Sequence, residues 1–346
     1  MNKYLIVGAF GYINNQLDGQ TIKTRMIYKL ISDKSGISPK YIDTIAIKRN
    51  PLIVFRFLRE LWRCSTLIII PCLNNLTYLF PIVYYLSFLF KYEIINICVG
   101  GWQVEYFMGN EKYKKHKCIM SLCKKVKVFM PELHNVDEDL KRVCSFKNTV
   151  VFPNFRFFDR KEYTHHPDAN LRLVYFGRIN RNKGYETIIK AAELFETQHL
   201  LIKIDFYGQI EEEDKNDFLE LVNSHAASVE YMGVLPFDVL YETLSTYDLL
   251  LFPTKYYTEG FPGCILDAYI AGIPVAVSEW KHSHEFVKDS ETGFIIPFEN
   301  NQDSFNRLII DVYNNREQLI RMRELAKKES FNYSDEAAWS IIHPYL

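Results

Sequence analysis

Short, near-continuous apolar runs alternate along the chain with segments whose apolar positions recur at helical spacing. The runs predict strands at Tyr4–Val7, Tyr41–Ile47, Leu67–Ile70, Ile94–Val99, Val126–Phe129 and Thr149–Phe152. They resume at Leu173–Phe176, Ile202–Tyr207, Val229–Met232, Leu249–Phe252, Val275–Val277 and Gly293–Ile296. Between them lie amphipathic stretches such as Gly184–Phe195, where Ile188, Ile189, Ala192 and Phe195 share one helical face. Strands apolar on both sides, separated by such helices, belong in parallel sheets covered on both faces. The pattern occurs twice, which predicts an α/β chain of two doubly wound, Rossmann-like domains.

The predicted boundary follows Phe152-Pro153-Asn154-Phe155, because residues 156–170 are polar and without periodicity. The domains are therefore 1–155 and 156–333. Residues 334–346 form a C-terminal helix, from Asp335 onward, expected to pack back on the first domain. The start of the chain turns polar too soon for a signal peptide. The greasiest stretch, Leu76 to Phe90, holds Pro81 and is short for a spanning helix, which needs about 20 apolar residues. It reads as a buried helix, with a helix touching a bilayer surface as the alternative.

A net charge of -1 conceals an asymmetry: residues 1–155 carry 22 Lys and Arg against 11 Asp and Glu. A basic first half calls for an anionic partner, unless it serves only to attract the acidic second half. Lys112, Lys114, Lys115, Lys117, Lys124, Lys125 and Lys127 concentrate that charge. Together with the greasy helix they favour docking on an anionic leaflet over a merely solvated face. No nucleic-acid-binding motif accompanies them, so nucleic acid is not expected as a partner. The odd count of seven Cys, with no CxxC pair, predicts reduced, buried thiols in a cytosolic protein and no zinc site.

Two segments carry chemistry. Phe176-Gly177-Arg178-Ile179-Asn180-Arg181-Asn182-Lys183-Gly184 follows a predicted strand and opens a helix. A glycine admits close backbone approach, a helix start favours anions, and Arg178 and Lys183 could bracket a diphosphate as fork and point charge. The second segment is Glu259-Gly260-Phe261-Pro262-Gly263-Cys264-Ile265-Leu266-Asp267-Ala268. A helix expected over Pro262–Ala271 would aim its free N–H groups at phosphate, while Glu259 accepts hydrogen bonds from sugar hydroxyls.

Together, FGRINRNKG and EGFPGCILDAYIAGIPV resemble the retaining glycosyltransferases of family 4, which have the GT-B fold. The segments around Asp18-Gly19-Gln20-Thr21-Ile22-Lys23 and Val99-Gly100-Gly101-Trp102 look like those of bacterial members that build capsule and O-antigen polysaccharides. The resemblance implies two Rossmann-like domains facing across a cleft. It implies a hexosyltransferase-type activity and a nucleoside diphosphate sugar as donor, with no cofactor and no metal. Arg178 and Lys183 would bind pyrophosphate and Glu259 the transferred sugar, with Gly177, Gly260, Phe261, Pro262, Gly263 and Cys264 lining the donor. The family's second acid, a ribose ligand, is Asp267 here rather than Glu. Gly11, in the GxxG turn after the first strand, would approach the donor. Gly19, Lys23, Gly100, Gly101 and Trp102 are candidates for the acceptor or sugar. The expected acceptor is a glycan on a polyprenyl diphosphate, at the inner face of the plasma membrane.

Two features are set aside. Asp137-Glu138-Asp139 contains a DxD but falls in a helical stretch, and reads as exposed acids. His165-His166 lies in the linker, away from any expected site. A nucleotide-sugar epimerase on the same fold and a non-catalytic partner subunit are the rival functions.

Overall fold

Two parallel sheets organise the computed structural model, which describes residues 3–12, 18–47, 50, 52–109, 114–158, 161–165, 167–299 and 301–346. Lys112 and His166 lie outside the described residues, as does the side chain of Lys114. The chain divides into one unit of residues 1–157 with 333–346, and a second of residues 158–332. The division falls two residues beyond the boundary read from the sequence.

In the first unit the strands are β1 (Tyr4–Gly8), β2 (Lys40–Asp43), β3 (Thr66–Ile70), β4 (Glu93–Ile97) and β5 (Val128–Met130). They run parallel in the order β2-β1-β3-β4-β5. The helices are α1 (Gly19–Ser35), α2 (Thr44–Ile47), α3 (Ile53–Arg63), α4 (Phe80–Phe90), α5 (Gln103–Met108), α6 (Lys114–Cys123) and α7 (His134–Arg142). Asp18 caps α1, its carboxylate accepting from the N–H groups of Gln20 and Thr21, and Gly36 ends it in the left-handed region. Alternate strand residues Tyr4, Ile6, Ile68 and Ile95 pack with Ile27, Leu30 and Ile31 of α1. The C-terminal helix Asp335–Ile342 adds Ala338 and Ile342 to that core. The steps from β2 to β3, β3 to β4 and β4 to β5 all run in one direction across the sheet. Right-handed crossovers then set α3, α4 and α6 on the opposite face from α1.

The structure departs from the sequence pattern at four points. The strand expected through Ile47 stops at Asp43, and 44–47 turn into α2. The Asp43 carboxylate accepts from the Phe10, Gly11 and Ile45 N–H groups, which closes the strand and starts the helix. Thr149–Phe152 is no sixth strand: it meets β5 through one bridge, Phe129 to Thr149, and its Phe152 carbonyl accepts from Lys23. The greasy helix is not buried. After a π-helical turn at Asn75–Leu79, α4 buries Phe80, Val83 and Tyr84 but leaves Ile82, Tyr85, Phe88 and Leu89 exposed. The cysteines are all free, yet not all buried: Cys118 is exposed, and Cys72 and Cys264 are half-buried. Among the described residues no helix is long and apolar enough to cross a membrane.

The second unit has β6 (Leu171–Phe176), β7 (Ile202–Tyr207), β8 (Val229–Gly233), β9 (Leu249–Phe252), β10 (Val275–Ser278) and β11 (Gly293–Ile296). The order is β11-β10-β9-β6-β7-β8, all parallel. Its helices are α8 (Tyr185–Thr197), α9 (Lys215–Ser224), α10 (Leu240–Ser245), α11 (Gly263–Ala271), α12 (Gln302–Asn314) and α13 (Glu317–Ser330), and the C-terminal helix of the first unit is α14. Successive strands leave β6 on one side as β7 and β8, and on the other as β9, β10 and β11. The reversal lies between β6 and β9, and a crevice opens beyond the carboxyl ends of strands at such a point. The two segments singled out in the sequence are the ones that leave β6 and β9.

Candidate active site

The loop after β6 is built to stay close to the loop after β9. Gly184 has φ +85°, and a Cβ there would sit 2.0 Å from the Pro253 carbonyl oxygen, so only glycine fits. Asn180 accepts from the Lys183 N–H and shapes the short 3-10 turn Arg181–Lys183 that precedes α8. The Asn182 carbonyl then accepts from the Lys255 N–H at 2.8 Å and from the Thr254 hydroxyl at 3.1 Å. Gly208, at the end of β7, packs on Gly177 so tightly that an added Cβ would stand 1.7 Å from the Gly177 carbonyl oxygen.

These constraints bring Lys183 and Glu259 together. The Lys183 ammonium donates to Glu259 Oε2 at 2.5 Å, with side-chain exposures of 18% and 15%. The same ammonium lies 5.3 Å from the centre of the Phe252 ring. Glu259 stands just ahead of α11, whose N-cap is Pro262 and which has no side-chain cap on its first N–H groups. Such a helix start retains its affinity for an anion. Pro262 stands at the cap rather than inside the helix, one residue earlier than expected. Phe261 stacks on Phe286 with ring centres 3.9 Å apart and fixes the turn from behind.

Arg178 lies half-exposed, its guanidinium donating to Glu211 at 3.1 Å. Asn180 donates to the same carboxylate oxygen at 2.9 Å. Tyr175 is the penultimate residue of β6. Its hydroxyl donates to the Arg178 carbonyl at 2.5 Å. Burial pushes the phenol well above its ordinary pKa, and the charges of Glu259 and Glu211 add to this while Arg178 opposes it. The phenol is therefore neutral and within electrostatic reach of both loops. Burial pushes the Cys264 thiol up to about 12, against the pull of Lys183, so it offers no thiolate nucleophile at neutral pH. Asp267 is buried in α11 and accepts from the Tyr241 hydroxyl of α10 at 3.3 Å.

The candidates in the first unit gather at the carboxyl edge of its own sheet. The Gly11 N–H donates to Asp43. Gly19 opens α1. Lys23 is 2% exposed and fully engaged: its ammonium donates to Glu132 at 2.9 Å and to the Phe152 and Cys98 carbonyls. Glu132 also accepts from the Gly100 N–H at 3.3 Å. Lys23 therefore ties α1 to the loops after β4 and β5. Gly101 is buried, and the Trp102 indole N–H donates to the Val99 carbonyl at 2.9 Å.

Sequence reasoning missed Tyr175, Asn180, Gly208, Glu211 and Tyr241 in one unit, and Asp43 and Glu132 in the other. Only Gly208 had a local signal, a glycine closing an apolar run. The DxD reading needs correction: Asp137 is buried and paired with Lys141, Asp139 is half-buried and paired with Arg142, and only Glu138 is exposed. His165 sits 3.0 Å from Asp248. Among the described residues no group of three or more His, Cys, Asp or Glu is arranged to hold a metal.

Residues 155–329, just over half of the chain, match the family model of glycosyl transferases group 1. Over 159 residues the chain is 26% identical to CapM, a capsular polysaccharide biosynthesis glycosyltransferase of Staphylococcus aureus. That match takes in 43% of this chain and spans about two fifths of the relative, 39% of its length. Among solved structures, sucrose-phosphate synthase from Thermosynechococcus elongatus superposes with a TM-score of 0.74 at 14% identity, covering 100% of this chain and 98% of that one. Anabaena HepE, solved with UDP and glucose, gives 0.71 at 12% identity, covering 100% and 99%. The shared fold is GT-B, two Rossmann-like units each on a parallel sheet. With its family model laid over the loops that hold Arg178, Lys183 and Glu259, the chain belongs to the group 1 glycosyl transferases.

Proposed function

We propose that this transferase moves a hexose from a nucleoside diphosphate donor to a hydroxyl of a polyprenyl-diphosphate-linked glycan, with retention at the anomeric carbon, in surface polysaccharide synthesis. The observation that carries the reading is the Lys183–Glu259 pair set beside the uncapped start of α11. Each partner of that pair suits one half of the donor. When the donor enters, Lys183 exchanges Glu259 for the diphosphate, and the freed carboxylate accepts from hydroxyls of the sugar. Arg178 makes the same exchange from Glu211. Donor lining falls to Gly177, Gly260, Phe261, Pro262, Gly263 and Cys264, and Asp267 meets the ribose through the Tyr241 hydroxyl it holds. Gly19, Gly100, Gly101 and Trp102 serve the acceptor, while Lys23 acts indirectly by holding Glu132 beside Gly100.

In the transfer, the bond from the anomeric carbon to the diphosphate oxygen breaks and a bond to the acceptor oxygen forms on the same face. The acceptor proton passes to the departing phosphate, so no side chain is assigned as general base. The phosphate gains charge as it leaves, and Arg178, Lys183 and the N–H groups at Gly263 neutralise it without a metal. Preorganised donors aimed at developing charge supply a large part of catalysis, about 10²–10³ in rate for each one removed in known cases. HepE was solved with UDP and with UDP-glucose, and CapM belongs to capsular polysaccharide biosynthesis, which support a nucleotide sugar and a glycan as the substrates. The basic first half suits an anionic membrane as the platform, at the inner face of the plasma membrane, where such an acceptor resides.

The test is product formation from a panel of UDP and GDP sugars with a lipid-linked glycan acceptor, with and without a chelator, and the anomeric configuration of the product read by NMR. Glu259→Ala should abolish transfer. Normal turnover by that variant, or an epimerised sugar from donor alone, overturns the assignment.

A further inference from the structure

The helical layer of α3, α4 and α6 turns outward a surface that departs from an ordinary solvated face. On α3, Phe55 and Trp62 are 72% and 64% exposed. On α4, Ile82, Tyr85, Phe88 and Leu89 are 58%, 60%, 68% and 69% exposed, at helical spacing along one side. The two helices are neighbours, as are α4 and α6. Monomeric soluble proteins seldom display contiguous apolar area of this kind unless it meets something.

The charges around it identify the occupant. Between residues 52 and 92 the single acid is Glu60, which is buried and bonded by Arg59 at 2.8 Å. Arg56, Arg63 and Lys91 are exposed there, and Lys115 of α6 lies over the Tyr78 ring of the π-helical turn, 5.7 Å from its centre. A two-fold contact with a second copy would set these cations against themselves, since each side of such an interface presents the same patch. An anionic lipid surface complements them. Tyr and Trp with an apolar body and a polar tip suit the headgroup layer, and an apolar face joined to a cationic rim supplies the two signals that hold a protein on a membrane.

We propose that the outer face of α3 and α4, rimmed by the cations of α3 and α6, inserts into the headgroup region of an anionic bilayer, with both helices lying along the interface. The inference deepens the membrane platform of the proposed function by assigning its surface. It is read by binding alone, so it can fail while sugar transfer stands, or stand while transfer fails.

The experiment uses the full chain and vesicles of phosphatidylcholine with or without phosphatidylglycerol, at low and high salt. Co-sedimentation should require phosphatidylglycerol and weaken with salt, and lipids carrying a quencher should dim Trp62 emission. Phe88→Ser with Leu89→Ser, and separately Phe55→Ser with Trp62→Ser, should each lower vesicle partitioning about tenfold or more. Arg56→Gln with Arg63→Gln should lower it by a similar factor, about tenfold or more. All these side chains are exposed, so the melting temperature of each variant should match the parent, and either apolar pair decides the matter if the other misfolds. Equal binding to pure phosphatidylcholine, or partitioning unchanged by both apolar pairs, overturns the proposal. So does a parent dimer in sedimentation equilibrium that the apolar pairs dissolve.

Discussion

Replacing Lys183 by Met separates what the Lys183–Glu259 pair does for the fold from what the lysine does for catalysis. The departing diphosphate gains one negative charge. A lysine about 4 Å from that charge is worth about 4 kcal/mol at an effective dielectric constant near 20. The Lys183 side chain is 18% exposed, and the resulting screening leaves about 2–4 kcal/mol. Lys183→Met should therefore lower kcat by about 100-fold. In the free protein the same change leaves Glu259, 15% exposed, without its cation, at a cost of about 1–2 kcal/mol after discounting for solvent. Glu259→Gln should cost a similar amount, about 1–2 kcal/mol. The double variant should recover most of that stability, because neither charge is then left alone, yet stay as inactive as the worse single variant. Urea unfolding of the four proteins and initial rates of sugar transfer supply both readings. Additive stability losses with no coupling would refute the pair's role in the fold. A kcat for Lys183→Met within threefold of the parent, on the order of 0.6 kcal/mol, would refute its role in charge neutralisation.

Three further outcomes follow from the geometry. Gly208→Ala should destabilise the second unit by about 3 kcal/mol or more and weaken UDP-induced thermal protection, since the added methyl collides with the Gly177 carbonyl at the base of the donor loop. Lys23→Met removes the cation from the buried Glu132 carboxylate and should cost the first unit about 3–5 kcal/mol in chemical denaturation, with Glu132→Gln added to it restoring most of the loss. Burial alone would raise the Asp335 pKa, but the Lys34 ammonium at 2.7 Å prevails and holds it below the ordinary aspartate value. Its stabilisation is then present above that ordinary value and fades as pH falls through the lower, folded value. Asp335→Asn should flatten the loss of melting temperature on acidification below about pH 4, and an unchanged slope would rule the pair out.

The second unit was readable in advance because its architecture rests on local pattern. Its strands are apolar runs or alternate apolar with polar positions, and the turns that follow β6 and β9 carry glycine and proline where the backbone bends. The partners that hold the site were not readable, since their bonds join residues far apart in the chain. Glu211 meets Arg178 across 33 positions and Tyr241 meets Asp267 across 26. Nothing in LVYF marks Tyr175 as the phenol that bonds the Arg178 carbonyl. In the first unit periodicity misled for two distinct reasons. The run 41–47 looks continuous, but Asp43 gathers three N–H groups and ends the strand there. Hydrophobicity from Leu76 to Phe90 correctly gave a helix, but composition cannot say which side of it meets the sheet. Lys23 resembled an available cation, and only coordinates could show Glu132 holding it from 109 positions away.

Closure of the first core by α14 has a consequence for the order of assembly. Ala338 and Ile342 pack with strand residues that leave the ribosome long before them. Residues 158–332 are synthesised in full, with their own sheet, while the earlier unit still lacks part of its covering. Domains commonly mature from the amino end during synthesis. Here the half translated first is completed last, and a nascent chain stalled before α14 would leave exposed apolar surface in the half that was made earliest.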